Sequence, residues 1–334
     1  MKKALITGVA GQDGCYLSEF LLKKGYDVYG IKRPTETTEH ISHRNQVTFL
    51  DADMTDGPSL YRVIETVMPD EIYNLAGISH VGVSWDMQSL VRETNFFGVI
   101  RLMDAVKRVK PSAKVYQASS CEMFGGVESA PQNEDTPFKP VSPYAESKVE
   151  AHKYMQVLRR KGLFAACGIL FNHESPMRPL EFVTRKITDG VARIVSGQNF
   201  VIKLGNLNSV KDWGFAGDYV KAMWLMLQHS SPDDFAIGTG EKHTVRDFVT
   251  EAFAAAGKKI EWKGQDLEEK GYVDNKLAVQ VDPAFFRPHD TMPLVADISK
   301  AKRLLNWQPE VSFKQLVEMM VKADMAHYQK HRAL

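Results

Sequence analysis

The chain of 334 residues holds only three cysteines, Cys15, Cys121 and Cys167. That is too few for a disulfide framework and points to a reducing compartment. Neither sign of charge is in excess, since 42 Lys and Arg against 41 Asp and Glu leave a formal net charge of +1. A general nucleic-acid surface needs a basic excess, so nucleic acid is not expected as a partner, although a local basic pocket remains open. No apolar run approaches the length of a bilayer span, so no membrane partner is expected either. The ten histidines show no HExxH or comparable ligand spacing, so no metal is expected. The segment from Met1 to Ile6 has the look of a leader, but Gly8, Gly11, Asp13 and Gly14 interrupt it and a cytoplasmic protein is expected. What remains is an ordinary globular composition, 44% hydrophobic and 25% charged, with core enough for one large or two closely joined domains.

Strand-like and helix-like segments alternate through the first half. Lys3 to Thr7 reads as a strand, and Tyr16 to Lys24 as a helix with Leu17, Phe20 and Leu21 at helical spacing and Gly25 as its stop. Strands at Asp27–Ile31, Val47–Leu50, Glu71–Leu75 and Lys114–Ala118 are interleaved with helices at Ser59–Val67 and Asn95–Val109. Such β–α–β repetition predicts an α/β fold, a doubly wound parallel sheet with helices on both faces. The second half is less regular. Phe171–Pro179 reads as loop, Phe182–Ser196 and Val245–Ala256 as helices, and the charged stretch Gly264–Lys276 as surface. A smaller, mixed α/β domain capping the sheet is expected there.

The loop Gly8-Val9-Ala10-Gly11-Gln12-Asp13-Gly14 follows the first strand and opens the first helix. Its spacing is GxxGxxG, and the glycines allow a tight turn, close backbone approach and a pyrophosphate at the helix N-terminus. A Rossmann-like dinucleotide domain over residues 1–170 and 210–240 is the expectation, with residues 171–209 and 241–334 holding the substrate. At the end of the second strand NAD enzymes usually carry an acid for the ribose 2′-hydroxyl. This chain offers Lys32 and Arg33, which suit a 2′-phosphate, so NADP is expected over NAD. The competing reading makes both cations solvated turn residues.

Ser142-Pro143-Tyr144-Ala145-Glu146-Ser147-Lys148 opens another helix, and residues four apart share a face. An ammonium beside a phenol favours the phenolate, so Tyr144 is expected as a base with its pKa lowered by Lys148. Ser120, at the end of a strand, is placed to share a hydrogen bond with the substrate oxygen being deprotonated. Glu122 follows just past the strand's C-terminal end, where open α/β sheets bind ligands.

The combination resembles the extended short-chain dehydrogenases/reductases. Gly11-Gln12-Asp13-Gly14, Glu71 to Ala76, Gly168 to Pro176, Phe182 to Thr188, Lys211 to Gly214 and Ala222 to Gln228 make it similar, over nearly the whole chain, to GDP-mannose 4,6-dehydratases. That resemblance implies oxidation at C4 of a GDP-hexose, elimination of water across C5–C6 and hydride return to C6. It implies Ser120, Glu122, Tyr144 and Lys148 as the catalytic set, with Glu122 serving as both base and acid because Cys121 stands where related dehydratases carry an aspartate. For the cofactor it implies Gly8, Gly11, Gln12, Asp13, Gly14, Arg33, Asp53, Met54 and Leu75, besides Tyr144 and Lys148. For the sugar nucleotide it implies Ser79, Asn172, Lys186, Lys211, Arg287 and Asp290. His173 reads as a satisfied structural histidine, and Cys121 as small-hydrophobe packing. The chain departs from the family pattern at Ile78, Ser120, Cys121, Lys211 and Asp290, several of them near the hexose. A GDP-heptose or another GDP-sugar is therefore the alternative to GDP-mannose. A 4-epimerase or 4-keto reductase would need no Glu122, and an NADP-binding redox sensor would not need Tyr144 and Lys148. The Arg33-Pro34-Thr35-Glu36 stretch lacks the family's Arg-Ser-Ser run, so a homodimer is expected ahead of a homotetramer.

Overall fold

The structure, a computed structural model, describes residues 1–286 and 292–332. Fifteen strands run in chain order through the described residues. They are β1 (Lys3–Thr7), β2 (Asp27–Lys32), β3 (Thr48–Asp51), β4 (Glu71–Asn74), β5 (Lys114–Ser120), β6 (Ala165–Leu170), β7 (Asn172–Glu174) and β8 (Ile202–Leu204). After them come β9 (Val210–Lys211), β10 (Trp213–Phe215), β11 (Asp234–Ile237), β12 (His243–Thr244), β13 (Glu261–Lys263), β14 (Lys270–Val273) and β15 (Lys276–Val281). The α-helices are α1 (Gln12–Lys23), α2 (Gly57–Val67), α3 (Gln88–Arg92), α4 (Gly98–Val109) and α5 (Pro143–Arg160). The second half adds α6 (Val183–Val195), α7 (Ala216–Gln228), α8 (Val245–Ala255), α9 (Ser299–Leu305) and α10 (Phe313–Arg332).

Seven of these strands form one parallel sheet in the order β3-β2-β1-β4-β5-β6-β11. β4, β6 and β11 are buried along their whole length, as strands covered on both faces must be. One apolar layer, with Leu17, Leu21, Met223 and Met226, covers one face, and another, with Leu60, Ile64, Leu102 and Met155, covers the other. The chain reverses direction of travel between β1 and β4, so the crevice beyond their C-terminal ends is the place a ligand would enter. A four-stranded sheet, β13-β14-β15-β8, packs with α6, α8 and α10 around a third core built on Phe248, Phe253, Val279 and Met320. No helix among the described residues is long and apolar enough to cross a membrane.

Three segments differ from their expected form. Gly264–Lys276 is not simply surface, because β14 lies within it with Gly271 and Val273 buried. The buried Glu269 accepts from Arg246 Nε at 2.8 Å and Nη2 at 2.7 Å, so this charge sits inside a pair rather than in solvent. Phe171–Pro179 is not all loop either, since β7 pairs in parallel with β10. Three residues are too few for alternation to register in a sequence, and the partner lies 41 residues downstream. The helix expected at Asn95–Val109 begins earlier, at Gln88, and carries a π-helical turn over Glu93–Phe97.

Candidate active site

At the sheet's C-terminal edge β1 runs into the glycine loop. Gly8 sits at φ +67°, and a Cβ on it would lie 2.9 Å from the Ala76 backbone. A Cβ on Gly14 would lie 2.5 Å from the Gly8 oxygen and the Val9 Cα, so loop and helix touch backbone to backbone. Thr7 Oγ1 locks the tips of β1 and β4 together, accepting from the amides of Leu75 and Ala76 at 3.0 Å and donating to Asn74 Oδ1 at 2.6 Å. Asn74 Nδ2 extends the tie to Gln117 on β5 at 2.7 Å.

A cleft of about 640 Å³ starts at this loop and passes Lys32, Arg33, Asp53, Met54 and Leu75 at one end. It continues past Ser120, Glu122, Tyr144 and Lys148 to Ser79 and Asn172. Helix α5 aims the central pair. Its N-cap Ser142 accepts from the Ala145 amide at 3.2 Å and Pro143 occupies the first turn, so Tyr144 and Lys148 fall one turn apart on the face toward β5. Lys148 Nζ lies 5.8 Å from the Tyr144 ring centroid and donates to the Ala118 carbonyl at 2.9 Å. Tyr144 is hydrogen-bonded to Ser120. Ser120 in turn accepts from the Glu122 amide at 3.2 Å, capping the short turn Cys121–Phe124 that carries the glutamate.

The electrostatics of the pair differ from the expectation. Burial pushes the Tyr144 phenol up, opposed by its bond to Ser120 and by the Arg178 charge. Burial pulls the Lys148 ammonium down to about 8, opposed by Asp13. The expected lowering of Tyr144 by Lys148 is absent because the ammonium is directed at a carbonyl and both groups are desolvated together. The Cys121 thiol, buried and 3.9 Å from Asn172 Oδ1, is pushed well up by burial. A thiol held neutral in this way is a packing group.

Asp13, in the glycine loop, is not open to the cleft alone. His173 Nε2 lies 2.8 Å from its Oδ2, and Gln12 Nε2 donates to its Oδ1 at 3.1 Å. Burial pushes the Asp13 carboxyl up, but His173 and Gln12 outweigh it and hold it below the usual range. His173 has both ring nitrogens engaged, Nδ1 with the Phe171 carbonyl at 2.9 Å, and stacks on Tyr219. Of the remaining candidates, Lys186 and Lys211 do not line the cleft. Lys186 Nζ sits 4.0 Å over the Phe285 ring, and Lys211, bridged to Leu294, is near enough for its charge to act on Cys121. Arg287 and Asp290 lie outside the described residues.

Two residues in the site escaped the sequence reading. Arg178 lines the cleft, with its Nε 3.1 Å from Glu174 and its guanidinium 3.6 Å from the Phe182 ring centroid. Asn95, buried within the π-helical turn, accepts from the Ile78 amide at 2.9 Å and donates to the Ile78 carbonyl at 3.1 Å. It thus pins the loop bearing Ser79. A π turn has no single-sequence signature, though it marks functional positions often enough to be worth testing. Behind the site His152, Cys167 and Asp234 approach within 4.8 Å of one another. Ser119 at 2.8 Å from His152, with Gln156 and Arg159 on Asp234, already occupies these groups.

Known proteins share this sequence pattern and this fold. The chain is 46% identical to a Drosophila melanogaster GDP-mannose 4,6 dehydratase over 99% of its own length and 88% of the relative's. It is 41% identical to a Vibrio cholerae GDP-mannose 4,6-dehydratase over 100% and 96%. Among solved structures, the UDP-glucose 4-epimerase of Thermus thermophilus, in complex with NAD, superposes with a TM-score of 0.82 at 25% identity, covering 96% of this chain and 98% of that one. The dTDP-glucose 4,6-dehydratase of Bacillus anthracis, also with NAD, gives 0.80 at 21% over 100% and 98%. The family model described as GDP-mannose 4,6 dehydratase matches residues 5–320, and with it this chain belongs to the GDP-mannose 4,6-dehydratase family.

Proposed function

We propose that the cleft carries out the 4,6-dehydration of GDP-mannose to GDP-4-keto-6-deoxymannose, a lyase-type reaction. The observation that carries this reading is a carboxylate, Glu122, sharing one cleft wall with Tyr144, Lys148 and Ser120. Hydride transfer alone needs the last three; loss of water across C5–C6 needs an acid–base group beside the ring. The glycine loop, closed to any Cβ at Gly8 and Gly14, and the long cleft from Arg33 to Tyr144 fit a nicotinamide dinucleotide. When bound, the nicotinamide serves as a reversible hydride store.

Tyr144 takes the proton of the C4 hydroxyl while Ser120 holds that oxygen. The Arg178 charge favours the phenolate against burial, while Lys148, held on the Ala118 carbonyl, sits one turn along the same helix face. Once C4 is a ketone, the C5 proton is acidic and Glu122 removes it. The same carboxyl then delivers its proton to the C6 oxygen, which leaves as water and returns the glutamate to its ionised form; C6 receives the hydride and C5 a proton, the balance closing with the one Tyr144 took from the C4 hydroxyl. Ser79 lies by the sugar ring, Asn172 touches the sugar or the phosphates, Lys186 approaches the nucleotide, Lys211 and Arg287 neutralise the diphosphate, and Asp290 belongs to the substrate site. The cofactor half belongs to Gly8, Gly11, Gln12, Asp13, Gly14, Arg33, Asp53, Met54 and Leu75.

The Arg33 fork in the cleft supports NADP as the dinucleotide. A homodimer is part of the same reading, because Trp85, Met87 and Val157 expose apolar surface on segments that pack together. The test is incubation with GDP-mannose and NADP, read by mass spectrometry. A product lighter by one water and carrying a ketone supports the assignment. Turnover of a GDP-heptose, a UDP-sugar or a dTDP-sugar in preference to GDP-mannose would move the substrate. Light scattering checks the dimer.

A further inference from the structure

At the far end of the cleft Arg33 and Glu36 form a closed clasp. The Arg33 amide donates to Glu36 Oε2 at 3.0 Å and Nε donates to Oε1 at 2.9 Å, with Nη2 2.8 Å from the same oxygen. Both residues line the cleft beside Asp53 and Met54. The neighbouring cation is also taken, with Lys32 Nζ 2.6 Å from Asp51. Every positive charge at the end of β2 therefore already holds a carboxylate.

A ribose 2′-phosphate carries more than one negative charge at neutral pH and needs the same forked donors that Glu36 occupies. To reach Arg33 it must displace that carboxylate or sit against it. A 2′-hydroxyl makes the opposite demand. It donates a hydrogen bond, and a carboxylate held on the cleft wall accepts one without disturbing the clasp. The Arg33 side chain is 61% exposed and that of Glu36 31%, and a pair so open to solvent is weak enough to part.

We infer that Glu36 sets the dinucleotide selectivity of this site: closed on Arg33 it reads an unphosphorylated ribose, and released it yields the fork to a 2′-phosphate, so the chain takes both NAD and NADP. This rests on the reading of the cleft as a nicotinamide-dinucleotide site and narrows the preference for NADP to a modest one.

The experiment is calorimetric titration of wild type, Glu36→Gln and Arg33→Ala with NADP and with NAD, in the absence of sugar nucleotide. The quantity read is the ratio of the two dissociation constants within one preparation, so any loss of folded protein cancels. In wild type the two constants should lie within about tenfold of each other. Glu36→Gln should tighten NADP and weaken NAD, moving the ratio by about tenfold or more. Arg33→Ala should weaken NADP and leave NAD nearly unchanged. A ratio in Glu36→Gln equal to that of wild type overturns the role of Glu36 while leaving the cleft a dinucleotide site. Failure of folded wild type to bind either dinucleotide overturns both readings.

Discussion

Replacing Lys148 by methionine should make the protein more stable while abolishing its activity. Lys148 is 7% exposed, and burial pulls its pKa from the ordinary 10.5 to about 8. At 1.36 kcal/mol for each pH unit, holding the charged form inside the fold costs about 3 kcal/mol at pH 7. Methionine keeps most of the stem's volume and removes that cost. It also gives up the hydrogen bond to Ala118, 2.9 Å long and worth about 1–1.5 kcal/mol net. The balance is a gain of about 1–2 kcal/mol at neutral pH. Folding linkage supplies a second signature. Between pH 8 and 10.5 the unfolded chain binds the Lys148 proton and the folded one does not, so wild-type stability should rise with pH across that window. The variant, lacking the group, should show no such contribution, and the two stability curves should cross within the window, wild type becoming the more stable by about 1–1.5 kcal/mol above pH 10.5, where only the hydrogen bond to Ala118 separates them. Urea melts of both proteins at several pH values, without cofactor, measure this directly. A variant less stable than wild type at pH 7, or a gap independent of pH, would refute the reasoning that burial dominates at Lys148.

Other substitutions test other parts of the site. Glu122→Gln should lower dehydration by about 10²–10⁴-fold while reduction of the nicotinamide by substrate, followed by absorbance in a single turnover, persists; Tyr144→Phe should lose that reduction as well. Equal loss of both signals in Glu122→Gln would remove the glutamate from the elimination step. Gly14→Ala should cost about 2 kcal/mol in a thermal melt and weaken dinucleotide binding, because its Cβ meets only backbone at 2.5–2.6 Å, outweighing about 1 kcal/mol of helix propensity. A variant as stable as wild type would show that the loop is not closed on the helix. Burial pushes the Asp234 carboxyl up, but His152 and Arg159 outweigh it and hold it below its ordinary 3.8. Its contribution is thus present above pH 3.8 and lost as pH falls through the lower folded value, so Asp234→Asn should flatten the acid side of the stability profile.

The alternation of strand and helix, the glycine loop and the Tyr144–Lys148 spacing were legible in the chain itself. Each is a short-range pattern, a period or an offset of a few residues, and backbone sterics turn such patterns into local structure with little help. The family resemblance added Ser79, Asn172 and Glu122, and all three face the cleft. Tertiary structure decided the rest. Pairing of β7 with β10, burial of Glu269 by Arg246, and the Asp13–His173 contact join residues that are 41, 23 and 160 positions apart. Direction of a pKa was decided there too, since the same Tyr–Lys offset gives a lowered phenol in water and a raised one when both groups are buried. Local pattern sets which atoms are present and which way the chain turns, whereas desolvation and long-range partners depend on what the fold brings alongside, and no window of sequence contains that.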